Sequence, residues 1–320
     1  MSKIKCAVVG VGYLGRFHAQ KYKLLADVEL LGVYDVNPKI CEQVASELGV
    51  YAYPSIEQLL TQVDAVSIAA STSEHYAIAK LCLEQGVHVL LEKPMTQTVE
   101  QAEELISLAN AHQLKLQIGH LERFNAARLA LDQYLVHPLF IESQRLAPFN
   151  PRGSDVNVVL DLMIHDIDII QTIVASPIKH IDAQGAPVLT SSIDIANARI
   201  TFENNCVANV TASRISFKTE RKTRIFQPNS YISIDYHKKE LAVFEKGDGE
   251  SYPGIPDIIR HQSSFDKGDA LLEEIKAFVY CIIHDTTPLV TGDEGYAALA
   301  TAQQITTLID MNLMSRYALK

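Results

Sequence analysis

Three polar residues stand in settings suited to interconverting an alcohol and a carbonyl. Lys93 follows the apolar run at 87–91 and precedes Pro94, so it reads as the carboxyl end of a parallel strand, where open α/β sheets bind ligands. The proline fixes the local chain, which lets the ammonium be aimed at a nicotinamide and a substrate oxygen. Asp161 and His165 are four residues apart in a helical stretch, hence on one face and able to reach a shared ligand. Oxidising an alcohol requires a group that takes the hydroxyl proton as hydride leaves carbon, and imidazole is suited to this near neutral pH.

Hydride transfer also needs a carrier, and the start of the chain has the form of a pocket for one. The apolar strand Ile4–Val9 runs into Gly10, Gly12 and Gly15, and Asp35 follows twenty residues after the last glycine. Gly10 permits a tight turn, Gly12 lets a pyrophosphate approach bare backbone, and Gly15 lets the next helix pack closely. The N–H groups and positive dipole end of a helix beginning near Tyr13 would hold the phosphate charge. Asp35, ending the second apolar strand Val28–Tyr34, can accept hydrogen bonds from ribose hydroxyls and would repel a 2′-phosphate, and no Lys or Arg follows before Lys39. NAD is therefore expected rather than NADP.

These residues must be positioned by two domains, since 320 residues exceed one typical core. The first 120 alternate strands and helices: helices at 14–25, Pro38–Leu48, Ile56–Leu60, 75–85 and Val99–Ala111, and strands at 65–70, 87–91 and 114–119, besides the two already named. That alternation predicts a Rossmann-type, doubly wound parallel sheet. Gly49, Gly86 and Asn110 fall where helices should end. Residues 121–320 read as an α+β domain with an open, mostly antiparallel sheet covered on one face by helices. Its elements are a helix at 126–136, a strand at 139–146, a Pro/Gly loop at 148–155 and a helix at 158–174. Strands follow at 181–188, Ile195–Phe202, 207–215, 223–226, 231–236 and 241–244, then helices at 270–283 and 293–311. Turns are expected at 203–205 and 237–239, and 247–267 reads as a mobile loop.

The net charge of −10 argues against a nucleic-acid partner. No run of about eighteen apolar residues occurs, so no membrane span is expected, and nothing resembles a secretory leader. Five isolated cysteines, an odd number, fit a reducing cytoplasm. The sequence Asn209-Val210-Thr211 matches a glycosylation sequon that such a compartment would leave unused. Asp166 and Asp168 beside His165 could suggest a metal site, but adjacent helical residues point apart, so no metal is expected and the two aspartates read as structural. His18 and His88 read as packing residues.

Glu92-Lys93-Pro94, Thr72-Ser73-Glu74-His75 and Asp161-x-x-x-His165, in this order along essentially the whole chain, resemble the Gfo/Idh/MocA oxidoreductases. The resemblance implies a Rossmann domain over 1–120, a substrate-binding and oligomerisation domain over 121–320, and NAD-dependent oxidation or reduction of sugars. It implies His165 as base, Asp161 as the group that holds the sugar or orients the histidine, and Lys93 as the group that polarises the oxygen and relays the proton. Cofactor contacts fall on Gly10, Gly12, Tyr13, Leu14, Gly15, Asp35, Ser71, Thr72, His75, Glu92 and Lys93. His120 and Arg123, in the segment 119–125, become candidates for substrate binding.

Arg145, Arg152, Arg214, Lys218, Arg221, Lys222 and Arg224 collect in the second domain and could grip a diphosphate by bidentate bonds. Segments 119–125, 145–149 and 159–165 are similar to the branch of the family that oxidises the 3-hydroxyl of a UDP-N-acetylhexosamine. That likeness implies coupling to an aminotransferase in lipid A biosynthesis. Many relatives have glycines before the aspartate and a small residue two beyond it, whereas Val158, Val159, Leu160 and Met163 stand here, so the pocket floor is expected to differ. A free sugar, inositol or other carbonyl compound is the alternative substrate. A non-enzymatic NAD redox sensor is the alternative of another class, one that has no use for a proton acceptor. An uncovered sheet face, with Val207, Val210 and Ile215 available for burial, predicts a homodimer or homotetramer.

Overall fold

The computed structural model describes residues 3–150, 156–265 and 268–318. Two compact units are present, one of Met1–Phe124 with Asp269–Leu299, the other of Asn125–Gly268 with Ala300–Lys320. The first begins β1 (Ile4–Val9), α1 (Tyr13–Tyr22), β2 (Val28–Tyr34), α2 (Pro38–Leu48), β3 (Tyr51–Ala52) and α3 (Ile56–Leu60). It continues β4 (Ala65–Ile68), α4 (Thr72–Glu84), β5 (His88–Glu92), α5 (Val99–Ala111) and β6 (Leu116–Gly119). The strands pair in parallel in the order β3-β2-β1-β4-β5-β6. Strands β4 and β6 are buried throughout, as expected of strands covered on both faces. Local signals set the helix ends: the Asn37 side chain accepts from the N–H groups of Lys39 and Ile40, and Thr98 and Gln101 form a capping box. Gly49 ends α2 at φ +62°. The order reverses direction beside β1, so a crevice opens at the carboxyl ends of β1 and β4.

The second unit contains α6 (Ala126–Leu129), β7 (Phe140–Leu146) and α7 (Ile164–Val174). Its remaining strands are β8 (Ile178–Ala186), β9 (Ile195–Phe202), β10 (Val207–Ser213), β11 (Glu220–Gln227), β12 (Ser230–Asp235), β13 (Glu240–Tyr252) and β14 (Ile255–Ser264). They form one sheet in the order β14-β13-β12-β11-β7-β10-β9-β8, antiparallel except between β7 and β10. Alternation sorts its faces: Ile141, Val210, Ile225, Ile232 and Val243 are at most 1% exposed, and α7 packs over β7 and β10. Val210 therefore lies on the covered face, contrary to the expectation that it was available on the open one.

Three other expectations are corrected here. The helix expected at 126–136 stops at Leu129, and a 3-10 turn follows at Asp132–Tyr134. Gln227 takes over the backbone groups that a longer helix would use, donating to the Tyr134 carbonyl at 2.6 Å and accepting from Val136 N–H at 3.0 Å. The helix expected at 158–174 opens with a π turn, Val159–Met163, whose first N–H groups are capped by Asn157. The loop expected at 247–267 is an extended hairpin of β13 and β14 through Ser264; Asp266 and Lys267 lie outside the described residues.

The chain closes with α8 (Ala270–His284) and α9 (Gly292–Ala318). Leu271, Ile275, Phe278 and Val279 of α8 share a core with Cys6, Ala19 and Tyr22, and that burial draws 269–299 into the first unit. The boundary expected after residue 120 therefore differs for this segment, which lies with the first unit.

Candidate active site

A cleft of about 620 Å³ in the first unit is lined by Gly10, Gly12, Asp35, Ser71, Glu74 and Ile78, among others. Its floor is shaped by glycine. Gly10 has φ +80°, and a Cβ there would lie 2.7 Å from the Ala70 nitrogen. A Cβ on Gly15 would lie 1.9 Å from the Gly10 carbonyl oxygen, so α1 can approach the loop only without a side chain. Gly12 has open space in front of it, and no side chain caps α1 among the described residues, which leaves the helix start for an anion. Leu14 is half-buried and Tyr13 is exposed beside Phe17.

Asp35 accepts from Val11 N–H at 2.8 Å and from Asn37 N–H at 2.9 Å. Each carboxylate oxygen keeps a lone pair for a ribose hydroxyl. The lining residues include two acids, Asp35 and Glu74, and no Lys, Arg or His, a setting that repels a 2′-phosphate. Bare backbone for a pyrophosphate and a carboxylate for a ribose fit NAD. Sequence reasoning missed Glu74 as a lining residue, although it lies in the first turn of α4 next to Thr72 and Ser71.

Behind this cleft Glu92 ends β5, buried, and accepts from Lys93 N–H at 3.2 Å. His75, 1% exposed, sits between two carbonyl oxygens, with Nδ1 2.8 Å from that of Pro94 and Nε2 3.1 Å from that of Ala70. Its ring ties the loop after β4 to the Lys93-Pro94 segment, and burial lowers its pKa. It acts on the cofactor cleft as a brace. His120 is also buried; desolvation, aided by the charges of Arg123 and Lys93, pushes its pKa down to about 3. It is a neutral imidazole through the physiological range. Arg123 is 5% exposed and paired with Glu294.

In the second unit a cleft of about 500 Å³ is lined by Ala147, Pro148, Phe149, Asn150, Asp161, Leu162 and Arg214. Asp161 sits in the π turn and His165 in the first turn of α7, both half-buried. The bulky Val158, Val159 and Met163 are fully buried, so of the residues beside Asp161 it is Leu162 that meets the cleft.

Among the basic side chains expected to grip a diphosphate, most of those described are paired with acids. Arg145 donates to Asp166 through Nε at 2.7 Å, with side-chain exposures of 3% and 0%, and Asp166 also accepts from Ser143 at 2.8 Å. Arg214 donates to Asp194 at 2.9 Å and to the Val156 carbonyl at 2.8 Å. Lys218 pairs with Glu220, Lys222 with Asp235 and Arg224 with Glu142, while Arg221 is exposed. Arg152 lies outside the described residues. The charges find acids across strands and turns, at spacings that local sequence does not display.

A parallel Rossmann sheet with a glycine phosphate loop and a ribose acid, joined to an α+β unit bearing a histidine and an aspartate, defines a dinucleotide-dependent oxidoreductase. Residues 4–120 match the model of an oxidoreductase family with an NAD-binding Rossmann fold, and residues 119–229 match the GFO/IDH/MocA C-terminal domain. The chain belongs to the Gfo/Idh/MocA family and is an NAD-dependent oxidoreductase. It is similar to the UDP-N-acetylglucosamine 3-dehydrogenase of Acidithiobacillus ferrooxidans, 39% identical over 97% of this chain and 98% of that protein. A solved structure of that enzyme superposes with a TM-score of 0.92 over 97% of this chain and 99% of its own. The myo-inositol 2-dehydrogenase of Thermotoga maritima is 25% identical over 92% of this chain and 93% of its own. Among the described residues no helix is long and apolar enough to cross a membrane.

Proposed function

We propose that the protein oxidises the 3-hydroxyl of a UDP-N-acetylhexosamine to a ketone. The carrying observation is the 39% identity to a UDP-N-acetylglucosamine 3-dehydrogenase, sustained over 97% of this chain. When bound, NAD supplies the hydride acceptor. His165, half-buried, takes the hydroxyl proton, a task to which an imidazole side chain is suited. Asp161, on the same helical stretch and lining the second-unit cleft, holds the sugar by accepting from a hydroxyl. The Lys93 ammonium stabilises the oxygen as it develops negative charge. The first unit serves chiefly to hold the cofactor and the second the substrate.

A 3-keto product has the carbonyl an aminotransferase acts on, which supports a role in supplying an amino sugar for lipid A. Five free, buried cysteines support a reducing, cytoplasmic setting. The open sheet face supports a homo-oligomer. The test follows NADH formation with UDP-N-acetylglucosamine, an aminotransferase being included to pull the equilibrium. Turnover that is lost in His165→Ala supports the proposal. Turnover only with inositols or free sugars would redirect it to those polyols. NAD binding without any turnover would favour a sensor.

A further inference from the structure

Outside the two clefts, His18 of α1, Glu92 of β5 and Glu274 of α8 form a buried group of ionisable side chains in the first unit. One ligand atom from each lies within 4.8 Å of the others. His18 and Glu274 are 0% exposed and Glu92 is 7% exposed. His18 Nε2 donates to Glu92 Oε1 at 3.0 Å, and the second Glu92 oxygen takes the Lys93 N–H at 3.2 Å. The Glu92 carboxyl rests on Gly119, where a Cβ would come within 2.9 Å of Glu92 Cδ. Among the described residues both oxygens of Glu274 are buried with no hydrogen-bond partner, as is His18 Nδ1.

Two carboxylates this close in a sealed interior cannot both be ionised, so one keeps a proton. Glu92 accepts from two N–H donors. Glu274 has none, and burial together with the charge of Glu92 raises its pKa. A divalent cation would also bring the three together, but with three protein ligands it needs at least one more. Of the neighbouring groups, Tyr22 of α1 bonds Ser67 at 2.8 Å, and burial keeps both Tyr22 and Cys6 of β1 protonated. Gln117 of β6 donates to the Glu274 backbone carbonyl at 3.1 Å, and Arg123, on the turn packed against α8, is paired with Glu294.

We propose that His18 and Glu274 are positioning residues: His18 orients Glu92 by donating to Oε1, Glu274 as a neutral carboxylic acid sets no repelling charge beside it, and Glu92 fixes the backbone of Lys93. This rests on Lys93 serving the reaction proposed above. The proton stays within the group, and its work is to let a lone carboxylate persist at the root of Lys93 without a second, repelling one.

The sign of the stability effect is defined. Glu274 is raised in the folded protein, so its contribution is full below the unfolded value near pH 4.5 and declines as pH rises toward the folded value. Glu274→Gln, which keeps a neutral donor of the same shape, is free of that decline. Its Tm relative to the wild type is expected to increase steadily from pH 5 to pH 8. An infrared band of a protonated carboxyl is expected in the wild type at neutral pH and missing in Glu274→Gln. In turnover of UDP-N-acetylglucosamine, His18→Leu is expected to lower kcat roughly tenfold or more, with NAD affinity unchanged, and His18→Gln to recover part of it. A Tm difference flat across pH, no such band, or a stoichiometric metal ion lost in Glu274→Gln would each overturn the proposal. Unchanged kcat in His18→Leu would overturn its positioning half. Infrared and Tm measurements need no substrate, so failure of the proposed reaction is distinguishable from failure here.

Discussion

At the scale of single residues, the cofactor half is built by side chains with two tasks. Asp35 holds the Val11 and Asn37 N–H groups while keeping lone pairs for ribose, so it shapes the loop it serves. Asp35→Ser removes charge-assisted bonds, each worth about 1.5–3 kcal/mol, and is expected to raise the KM for NAD about 10- to 100-fold while narrowing the preference over NADP. Steady-state kinetics with both cofactors checks this; an unchanged ratio would show that Asp35 does not select. His120 is neutral above about pH 3, so it contributes no inflection to a pH–rate profile near neutrality. His120→Gln is therefore expected to leave the position of any inflection in the pH–rate profile unchanged, and a displaced inflection would contradict this.

At the scale of elements, the alternation of the first unit was legible because buried parallel strands are uninterrupted apolar runs and the helices carry recognisable caps. The β13–β14 hairpin was not legible: residues 255–264 are exposed or half-buried at every position, so neither face leaves an apolar alternation. The glycine loop, Asp35 and the Asp161–His165 spacing were readable because each is local. The pairs Arg145–Asp166 and Arg214–Asp194 were not, since their partners are 21 and 20 residues apart and are joined only by the fold. Glu274 likewise reads in sequence as one more acid on an amphipathic helix.

Asp194 organises its neighbourhood: despite its burial, N–H bonds from Thr190, Val188 and Leu189 and the Arg214 guanidinium hold its carboxyl well below the usual range. Its contribution is present above the unfolded carboxylate value and is lost as pH falls through the folded one. Asp194→Ala strands a buried arginine and is expected to destabilise the protein by about 3–5 kcal/mol in denaturant unfolding. A loss below 1 kcal/mol would show that Arg214 finds another partner.

At the scale of the whole molecule, the open face of the eight-stranded sheet carries a row of aromatic rings, one from each of four neighbouring strands. Phe140, Phe226, Tyr231 and Phe244 follow one another at centroid separations of 5.7, 5.1 and 5.5 Å, and the Arg260 guanidinium lies 4.7 Å from the last ring. Their alternate neighbours Ile141, Ile225, Ile232 and Val243 are buried on the other face. Such a row is suited to a second copy of the same sheet, since a two-fold contact matches like with like. Phe226→Glu is expected to shift the protein from dimer or tetramer to monomer in sedimentation without loss of NAD binding. A wild-type protein that sediments as a monomer at micromolar concentration would contradict this assembly.

In the proposed reaction hydride leaves the sugar C3 for NAD. The most direct test supplies UDP-N-acetylglucosamine deuterated at C3 with NAD and an aminotransferase, then weighs the reduced cofactor by mass spectrometry. Reduced cofactor carrying one deuterium is the expected result, with slower turnover than for unlabelled substrate if hydride transfer limits the rate. Reduced cofactor without deuterium, or turnover that leaves the label on the sugar, would contradict it.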